Sequence, residues 1–433
     1  MRNSSGMTEP LDEIQRSEFR RGWPILLSSF LGVAVGLTGL PFYSYGLFAS
    51  ELEAEFGWTR SQTQLPMLFQ TFGLLVMLPV AGWACDRYGA RPVALFSMVG
   101  FALAFGALAL LGPNVEQFFL TVFLVGLLGA GTTPVTWTRA INAAFNKNRG
   151  VALGITLTGT GVTAFVVPIL ATQVIELHGW RVGFMVLAAL PALLGIPMVA
   201  LMFREDPTDT HVAAVLTTGL TLREGLRSYR FALIAAAFLV ISFGIGGAIP
   251  NLFPLYREAG FSPEATAGIL SLIGLSVIAG RLVTGMLLDR LWAPGVATFL
   301  MCLPALSCYL LTTGTISNTD AVISTILLGL AAGAEFDIIA YLASRYFGMR
   351  SYSKLYSYLY ISFAVGAAIA PGLFGHVYDS QGSYNMILLI SAALFLIGGL
   401  SLLGLGSYPS FSKAPAAFDS QGPGISTPSA GGN

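Results

Sequence analysis

Residues 267–290 read AGILSLIGLSVIAGRLVTGMLLDR, an apolar run that is interrupted once, at Arg281. A membrane-spanning helix needs about 20 predominantly apolar residues, and this run is long enough. A guanidinium in the middle of such a helix costs at least ~2.5 kcal/mol to insert. We therefore expect Arg281 to carry chemistry, and we expect the end of the run, Gly285 to Arg290, to report on the architecture.

The composition indicates a protein that is immersed in lipid. Hydrophobic residues make up 55% of the 433-residue chain, charged residues make up only 10%, and there are 50 glycines. These proportions are typical of a multispanning membrane protein. The three cysteines, Cys85, Cys302 and Cys308, cannot form a paired disulfide framework, and none lies with histidine at metal-ligand spacing. We expect no metal and no cofactor.

Twelve apolar stretches of helical length predict an all-α integral membrane protein with twelve transmembrane helices. They cover residues 23–48, 63–84, 92–112, 117–138, 150–173, 182–203, 230–255, 265–288, 294–315, 320–346, 352–375 and 384–407. Because the number of crossings is even, the two termini are predicted to lie on the same side of the membrane.

The positive charges indicate which side that is. With a cytoplasmic N-terminus, 18 of the 22 Lys and Arg residues lie on the cytoplasmic side, and only Arg60, Arg181 and Arg257 lie on the other. Cytoplasmic loops carry an excess of Lys and Arg. Residues 1–22 are therefore predicted to be a cytoplasmic segment, and the apolar run after them is too long for the core of a cleaved signal peptide. Both termini are expected to be cytoplasmic.

The two halves of the sequence repeat at a spacing of 203 residues. The residue pairs at this spacing are Gly57 and Gly260, Gly82 and Gly285, Asp86 and Asp289, Arg87 and Arg290, Pro168 and Pro371, and Gly179 and Gly382. A same-orientation repeat of six helices is typical of transporters that bind substrate near mid-membrane between two bundles. We predict six-helix bundles at 23–203 and 230–407, a cytoplasmic linker at 204–229, and a disordered, Ser-, Pro- and Gly-rich cytoplasmic tail at 408–433.

The segment Gly82-Trp-Ala-Cys-Asp86-Arg87-Tyr-Gly89-Ala-Arg91-Pro92 lies between the second and third predicted helices. It resembles the G-x-x-x-D-R-x-G-x-R signature of the major facilitator superfamily, and residues 285–290 resemble a degenerate second copy. The glycines permit a tight turn and close helix approach, while Asp86 can sit at a neighbouring helix end and pair with arginine. The alternative is that these residues only shape the loop and set the orientation. We assign an inner gate to Gly82, Asp86, Arg87, Gly89, Arg91, Gly285, Asp289 and Arg290.

A narrower resemblance comes from two short segments. Phe56-Gly57-Trp58-Thr59-Arg60 and Gly280-Arg281 look like the bacterial branch of the monocarboxylate and oxalate:formate transporter group. This resemblance implies that Arg281 binds the carboxylate of the substrate and that the protein lies in a bacterial inner membrane.

The chain departs from that group at two places. Oxalate carriers add a lysine in the eleventh helix, whereas residues 355–375 contain no basic residue, so a dicarboxylate is disfavoured. Animal monocarboxylate carriers have a lysine in the first helix and an aspartate one turn before the arginine, where this chain has Phe42 and Val277. The second departure leaves the route of proton coupling open.

Two acidic residues, Glu335 and Asp337, lie deep inside the tenth predicted helix. Counting ~1.5 Å per residue from the helix ends places Arg281 and Asp337 at a similar depth. We predict that they form an ion pair, since pairing reduces the desolvation cost of each charge. Residues two apart on a helix project in nearly opposite directions. The two acids therefore cannot both face Arg281 directly. The residues that follow Glu335 on its face of the helix are apolar, and an apolar setting favours the protonated form of a carboxyl. Glu335 is assigned to proton uptake and Asp337 to the ion pair, although the two acids could exchange roles, and a purely structural network is the alternative.

Four further side chains are candidates for contact with substrate because they are polar or aromatic and lie within predicted helices. They are Tyr43, Gln70, Asn251 and Tyr356. Aromatic residues near helix ends also anchor a protein at the membrane interface, which is the alternative for the tyrosines.

These residues predict a secondary active transporter and not an enzyme, because the deep charged residues lack a nucleophile and base pair or a metal set. The expected function is proton-coupled uptake of a small organic monocarboxylate by alternating access. The expected partners are a small organic anion, a proton and the lipid bilayer, without nucleic acid, and the protein is expected to act as a monomer. The alternatives are a proton-driven exporter of lipophilic compounds, an organic-anion exchanger and a transport-inactive sensor.

Overall fold

The computed structural model describes residues 11–58, 62–63, 65–204, 218–312 and 316–411. The α-helices in these parts of the chain are α1 (Leu11–Ala34), α2 (Leu40–Phe56), α3 (Pro66–Tyr88), α4 (Ala90–Ala107), α5 (Val115–Gly129), α6 (Pro134–Ala144), α7 (Arg149–Leu157), α8 (Gly159–His178), α9 (Trp180–Leu190), α10 (Ile196–Met202), α11 (Leu222–Arg227), α12 (Tyr229–Glu258), α13 (Pro263–Arg290), α14 (Ala293–Leu310), α15 (Asn318–Phe347), α16 (Tyr352–Gln381) and α17 (Asn385–Ser401).

Eleven helical segments of the described chain are long and apolar enough to cross a membrane. They correspond to the second through twelfth predicted helices, with ends that differ by a few residues. Three of the eleven contain a short break: a 3₁₀ turn at Ala130–Thr132 joins α5 to α6, Thr158 separates α7 from α8, and a π-helical turn at Pro191–Gly195 joins α9 to α10.

The first predicted helix, 23–48, is not continuous. It is divided between α1 and α2, with Gly36 and Gly39 in the intervening turn. A Cβ at Gly36 would lie 2.9 Å from the carbonyl oxygen of Thr132, and a Cβ at Gly39 would lie 3.2 Å from the Cβ of Thr163. The chain therefore breaks where it passes close to its neighbours, and α1 and α2 together take the position of the first of twelve transmembrane helices.

The helices form two bundles, α1–α10 and α12–α17. The bundles meet along two pairs of helices, because α7 packs against α13 and α3 packs against α16. The 203-residue repeat relates these two pairs to each other, since α7 begins at Arg149 and α16 begins at Tyr352. The interface between the bundles is therefore built twice, from equivalent helices.

One face of the molecule carries the end of α3, the end of α13 and the loop between α15 and α16; we call it the linker face. Residues 218–228 pack there. The Leu220 amide donates to the Phe347 carbonyl at 2.8 Å, and the Met349 amide donates to the Thr218 carbonyl at 2.8 Å. Gly219 and Gly348 form the bridge between the two segments, with φ values of +118° and +73°. Only glycine adopts such conformations readily, so the pair permits the contact.

Three parts of the predicted domain organisation, 1–10, 205–217 and 412–433, lie outside the described residues, so the exact domain limits stay predictions. Within the described chain, α1 already begins at Leu11, inside the predicted cytoplasmic segment. Tyr408, at the start of the predicted tail, accepts a hydrogen bond from the Ala293 amide at 2.9 Å.

Candidate functional site

A buried ion pair lies in the second bundle, where α13 and α15 come together. Arg281 Nη1 lies 3.4 Å from Asp337 Oδ2, and the two side chains are 3% and 0% exposed. Glycines bring the helices close: a Cβ at Gly280 would lie 2.4 Å from the Leu330 carbonyl oxygen, and a Cβ at Gly333 would lie 2.2 Å from the Val277 carbonyl oxygen. Small residues at both contacts thus let the charged side chains meet without water between them.

Arg281 also contacts the first bundle. Its Nη2 donates to Thr160 Oγ1 on α8 at 3.1 Å, and Thr160 donates its own hydroxyl proton to the Leu157 carbonyl at 3.0 Å. The guanidinium carbon lies 5.9 Å from the centroid of the Phe336 ring, within the range of a cation–π contact. The guanidinium therefore lies at the interface between the bundles. Its Nε has no hydrogen-bond partner among the described residues.

Glu335 is buried beside this pair, with 4% of its surface exposed. Its Oε2 and the Oδ1 of Asp337 are both buried and accept no hydrogen bond from the described residues. Buried carboxylate oxygens are normally hydrogen-bonded, because an unpaired buried charge is costly. Protonation is one way to reduce that cost, so both acids have the setting of a proton-binding group.

Within the described chain, none of the other predicted substrate residues is hydrogen-bonded to Arg281. Tyr43 is half-buried and packs edge-on against Phe42. Asn251 donates to the Gly247 carbonyl of its own helix at 2.8 Å. The buried Oε1 of Gln70 has no partner among the residues that the structure describes, and the Gln70 backbone lies against Gly126 of α5.

Tyr356 is fully buried and belongs to an aromatic row along α16. Its ring centroid lies 5.6 Å from that of Tyr352 and 6.4 Å from that of Tyr360. The Tyr360 ring in turn stacks on Phe336 at 5.4 Å. The row thus connects the linker face to the ring beneath Arg281, and the Tyr356 hydroxyl has no partner among the described residues.

At the linker face, Asp86 of α3 binds the beginning of α16 in the other bundle. Its Oδ1 accepts from the Ser353 amide at 3.1 Å and its Oδ2 accepts from the Lys354 amide at 3.2 Å. The Arg139 side chain lies 3.7 Å away, and the Asp86 side chain is only 3% exposed. A carboxylate is favourable at a helix N-terminus because the first amides lack partners and the helix dipole is positive there.

Asp289 of α13 makes the equivalent contact in the opposite direction. Its Oδ1 accepts from the Gly150 amide at 2.6 Å and its Oδ2 accepts from the Val151 amide at 2.9 Å, at the beginning of α7. Gly150 and Val151 lie 203 residues before Ser353 and Lys354. Each aspartate of the repeated signature therefore caps a helix of the opposite bundle, and this face of the interface is held closed.

The signature glycines lie in the same contacts. A Cβ at Gly82 would lie 2.6 Å from the Ser353 carbonyl oxygen, and a Cβ at Gly285 would lie 2.4 Å from the Gly150 carbonyl oxygen. Gly89 has a φ of +89° and turns the chain between α3 and α4. Glycine at 82 and 285 lets the bundles approach, and glycine at 89 makes the turn.

Among the described residues, none of the three signature arginines makes a hydrogen bond or ion pair between the bundles. Arg87 and Arg290 are exposed. Arg91 Nη2 donates to the Ala200 carbonyl at 2.5 Å, within the first bundle. The described cross-bundle contacts of the signature come from the two aspartates and the glycines beside them, and the gate roles of all eight residues stay predictions.

Sequence reasoning missed Thr160, Arg139 and the amides at the beginnings of α7 and α16. A threonine between Gly159 and Gly161 has no distinctive sequence signal, and a backbone amide has none. The exact 203-residue offset, applied to Asp86 and Asp289, could have indicated that their partners are also equivalent.

The profile of the Major Facilitator Superfamily matches residues 31–351. Monocarboxylate transporter 13 of Bos taurus is 25% identical over 406 residues, covering 90% of this chain and 91% of the relative. The cis,cis-muconate transport protein of Acinetobacter baylyi is 24% identical over 397 residues, covering 87% and 93%. A crystal structure of the E. coli fucose:proton symporter FucP, in a variant form, is similar with a TM-score of 0.70 at 14% sequence identity, covering 90% of this chain and 100% of that chain.

The last of these similarities shows the fold, which is the twelve-helix arrangement of two bundles. The profile match extends over most of the chain, from α1 to the loop before α16. The chain therefore belongs to the Major Facilitator Superfamily and is a multi-pass membrane transporter, not an enzyme.

Proposed function

We propose that this protein is a secondary active transporter that takes up a small organic monocarboxylate together with a proton. The observation that carries the proposal is Arg281, a buried cation at the interface of the two bundles whose Nε has no partner among the described residues. A buried guanidinium with an unused donor is suited to bind a carboxylate, which accepts two parallel hydrogen bonds from it.

The acids beside Arg281 supply a reason for proton coupling. With both Glu335 and Asp337 ionised, the three side chains carry a net charge of −1, which repels an incoming anion. A proton on Glu335 makes the centre neutral and leaves Asp337 on Arg281 at 3.4 Å. Burying an uncompensated charge inside a protein costs roughly several kcal/mol of desolvation free energy. Proton binding therefore favours anion binding.

The contacts at the linker face support transport by alternating access. Asp86 and Asp289 hold the linker face closed by capping helices of the opposite bundle. Opening this face requires both capping contacts to break. The excess of Lys and Arg at this face supports a cytoplasmic location for it and for both termini, in a bacterial inner membrane.

The names of two relatives support a carboxylate as the substrate, since one is a monocarboxylate transporter and the other a cis,cis-muconate transport protein. The second substrate has two carboxylates. Arg281 is the single cation found in the mid-depth centre of the described chain, which favours a monocarboxylate. Export of lipophilic compounds and anion exchange are the competing functions.

The test is uptake by proteoliposomes under an inward proton gradient, with labelled lactate, pyruvate, formate, benzoate and cis,cis-muconate. We expect one of the monocarboxylates to accumulate. Arg281→Gln is expected to reduce that uptake by ~100-fold or more, because two charge-assisted hydrogen bonds are lost. Arg223→Gln, at an exposed position of α11, is the matched control.

Normal uptake by a correctly inserted Arg281→Gln variant would remove the substrate assignment. Accumulation that depends only on a counter-anion inside the vesicles, and not on the proton gradient, would favour the exchanger. Proton-driven loss of a lipophilic dye, without carboxylate uptake, would favour the exporter.

A further inference from the structure

Arg281 has three nitrogens, and the structure gives each a different situation. Nη1 lies 3.4 Å from Asp337 Oδ2 in the same bundle, and Nη2 donates to Thr160 Oγ1 of the other bundle at 3.1 Å. Nε has no partner among the described residues. A carboxylate binds a guanidinium best along one edge, where two N–H groups point in parallel. A guanidinium has five N–H donors. Among the described residues, the Nε–Nη2 edge is the one that contains a nitrogen with no hydrogen-bond partner at all.

We infer that the substrate carboxylate binds the Nε–Nη2 edge of Arg281 and replaces Thr160 there, while Asp337 stays on Nη1. This inference rests on the proposed function and extends it. Thr160 is then a positioning residue that holds the guanidinium in the empty carrier and competes with the substrate for Nη2.

The exchange of partners is favourable for Arg281. A neutral hydroxyl is a weaker acceptor for a guanidinium than a carboxylate is. Thr160 loses little, because its own proton is already donated to the Leu157 carbonyl at 3.0 Å. Thr160 is buried, with 5% of the residue exposed, so its contact with Nη2 is shielded from solvent.

The replacement of Thr160 by substrate also removes a contact between the two bundles. Thr160 belongs to the first bundle and Arg281 to the second, so their hydrogen bond joins the two at mid-depth. A ligand shifts a conformational equilibrium only when its interactions differ between the two states. When substrate replaces Thr160, a hydrogen bond between the bundles is replaced by a hydrogen bond to substrate, which is such a difference. Substrate binding therefore removes an interaction that opposes movement of the bundles.

The experiment compares Thr160→Val with the wild-type protein in detergent, with calorimetric titration of lactate, pyruvate and benzoate. Valine keeps the shape of threonine and removes Oγ1, so the empty form loses a hydrogen bond that the bound form does not use. We expect the Kd of the bound carboxylate to fall by about threefold to tenfold. Thr160→Ser, which restores the hydroxyl, is expected to return the Kd to within about twofold of wild type.

The matched control is Thr163→Val, one turn further along α8. Thr163 is equally buried, and its hydroxyl bonds to the carbonyls of Ala34 and Gly159 within its own bundle. We expect this variant to lower the Tm and to leave the Kd unchanged. If Thr160→Val does not fold, Thr160→Ala takes its place with the same expected sign.

The outcomes separate the two ideas. If wild type binds a carboxylate and loses it on Arg281→Gln, but Thr160→Val binds with equal or weaker affinity, the role of Thr160 is wrong and the proposed function stands. If wild type binds none of the three acids, or if Arg281→Gln binds them as well as wild type, the proposed function fails and the inference fails with it.

Discussion

The interface between the bundles differs between its linker-face end and its centre. At the linker face the two halves use equivalent parts: Asp86 and Asp289 are 203 residues apart, and so are the amides that each aspartate caps. At mid-depth the halves differ. The positions 203 residues before Arg281, Glu335 and Asp337 are Leu78, Thr132 and Pro134.

This difference separates movement from chemistry. The capping contacts of Asp86 and Asp289 form two equivalent closures of the linker face. Two such closures suit a motion in which the bundles open symmetrically at that face. A single set of charges suits the binding of one anion, because a second buried cation in the first bundle would carry its own desolvation cost without a partner. The 203-residue repeat therefore holds at the linker face, where equivalent aspartates join the bundles, and it does not hold at the buried charges of the centre.

The strongest test of this comparison is Glu335→Gln against Thr132→Val. Gln mimics a permanently protonated Glu335, so we expect proton-driven uptake to fall by about tenfold or more while exchange of labelled for unlabelled acid at equal pH continues. Thr132 accepts from the Leu37 amide at 2.9 Å, so Thr132→Val is expected to lower stability by about 1–3 kcal/mol without changing the dependence on the proton gradient.

Uptake and exchange in the same proteoliposomes measure both effects, and the Tm measures the second. Equal loss of exchange and of proton-driven uptake in Glu335→Gln would contradict its assignment to the proton.

A second test asks whether the two closures are equivalent. In Gly82→Ala and Gly285→Ala the new methyl group would overlap a carbonyl oxygen of the opposite bundle, at 2.6 Å and 2.4 Å. Overpacking of this kind costs about 1–3 kcal/mol, so we expect the population that is open at the linker face to rise about fivefold or more in each variant. Gly274→Ala is the control, since a Cβ there would meet no described atom within 4 Å apart from the adjoining backbone of its own helix.

Spin labels at the exposed positions Tyr88 and Arg350, one in each bundle, measure the opening as a distance distribution. A shift in only one of the two glycine variants would show that the closures are not equivalent.

The smallest expected effect comes from the aspartates themselves. Asp86→Asn and Asp289→Asn keep the shape of the side chain but remove its charge, which is worth about 0.3–1 kcal/mol at a helix N-terminus. They also replace one of the two accepting oxygens by an NH2 group, so one hydrogen bond of about 0.5–1.5 kcal/mol is lost. We expect the open population to rise by about fourfold or more, and further for Asp86→Asn because Asp86 also has Arg139 at 3.7 Å. A larger effect of Asp289→Asn, in the same distance measurement, would mean that the Arg139 contact is unimportant.

Hydropathy and charge were sufficient to predict most of the fold. Eleven predicted helices are present because each has an apolar stretch of the required length with few charged residues. The division of the first helix was not predicted, although Gly36, Gly39 and Pro41 lie within a few residues of one another. Hydropathy does not register such a break, because glycine and proline leave an apolar average almost unchanged.

The centre of the site was partly predictable for a geometric reason. Depth along a helix can be counted, and the predicted contact of Arg281 with Asp337 is present at 3.4 Å. The orientation of one bundle relative to the other cannot be derived from positions along the helices, so Thr160 could not be predicted as a partner of Arg281. The roles of Tyr43, Gln70, Asn251 and Tyr356 stay predictions.

Cys85 precedes Asp86 on α3, and its thiol is fully buried beneath the closed linker face. Because Asp86 must leave its helix cap when that face opens, the native sulfur can serve as a reporter of the opening. In a Cys302→Ser, Cys308→Ser background, maleimide labelling of Cys85 in intact membranes would then follow the conformational cycle of the carrier without an engineered cysteine.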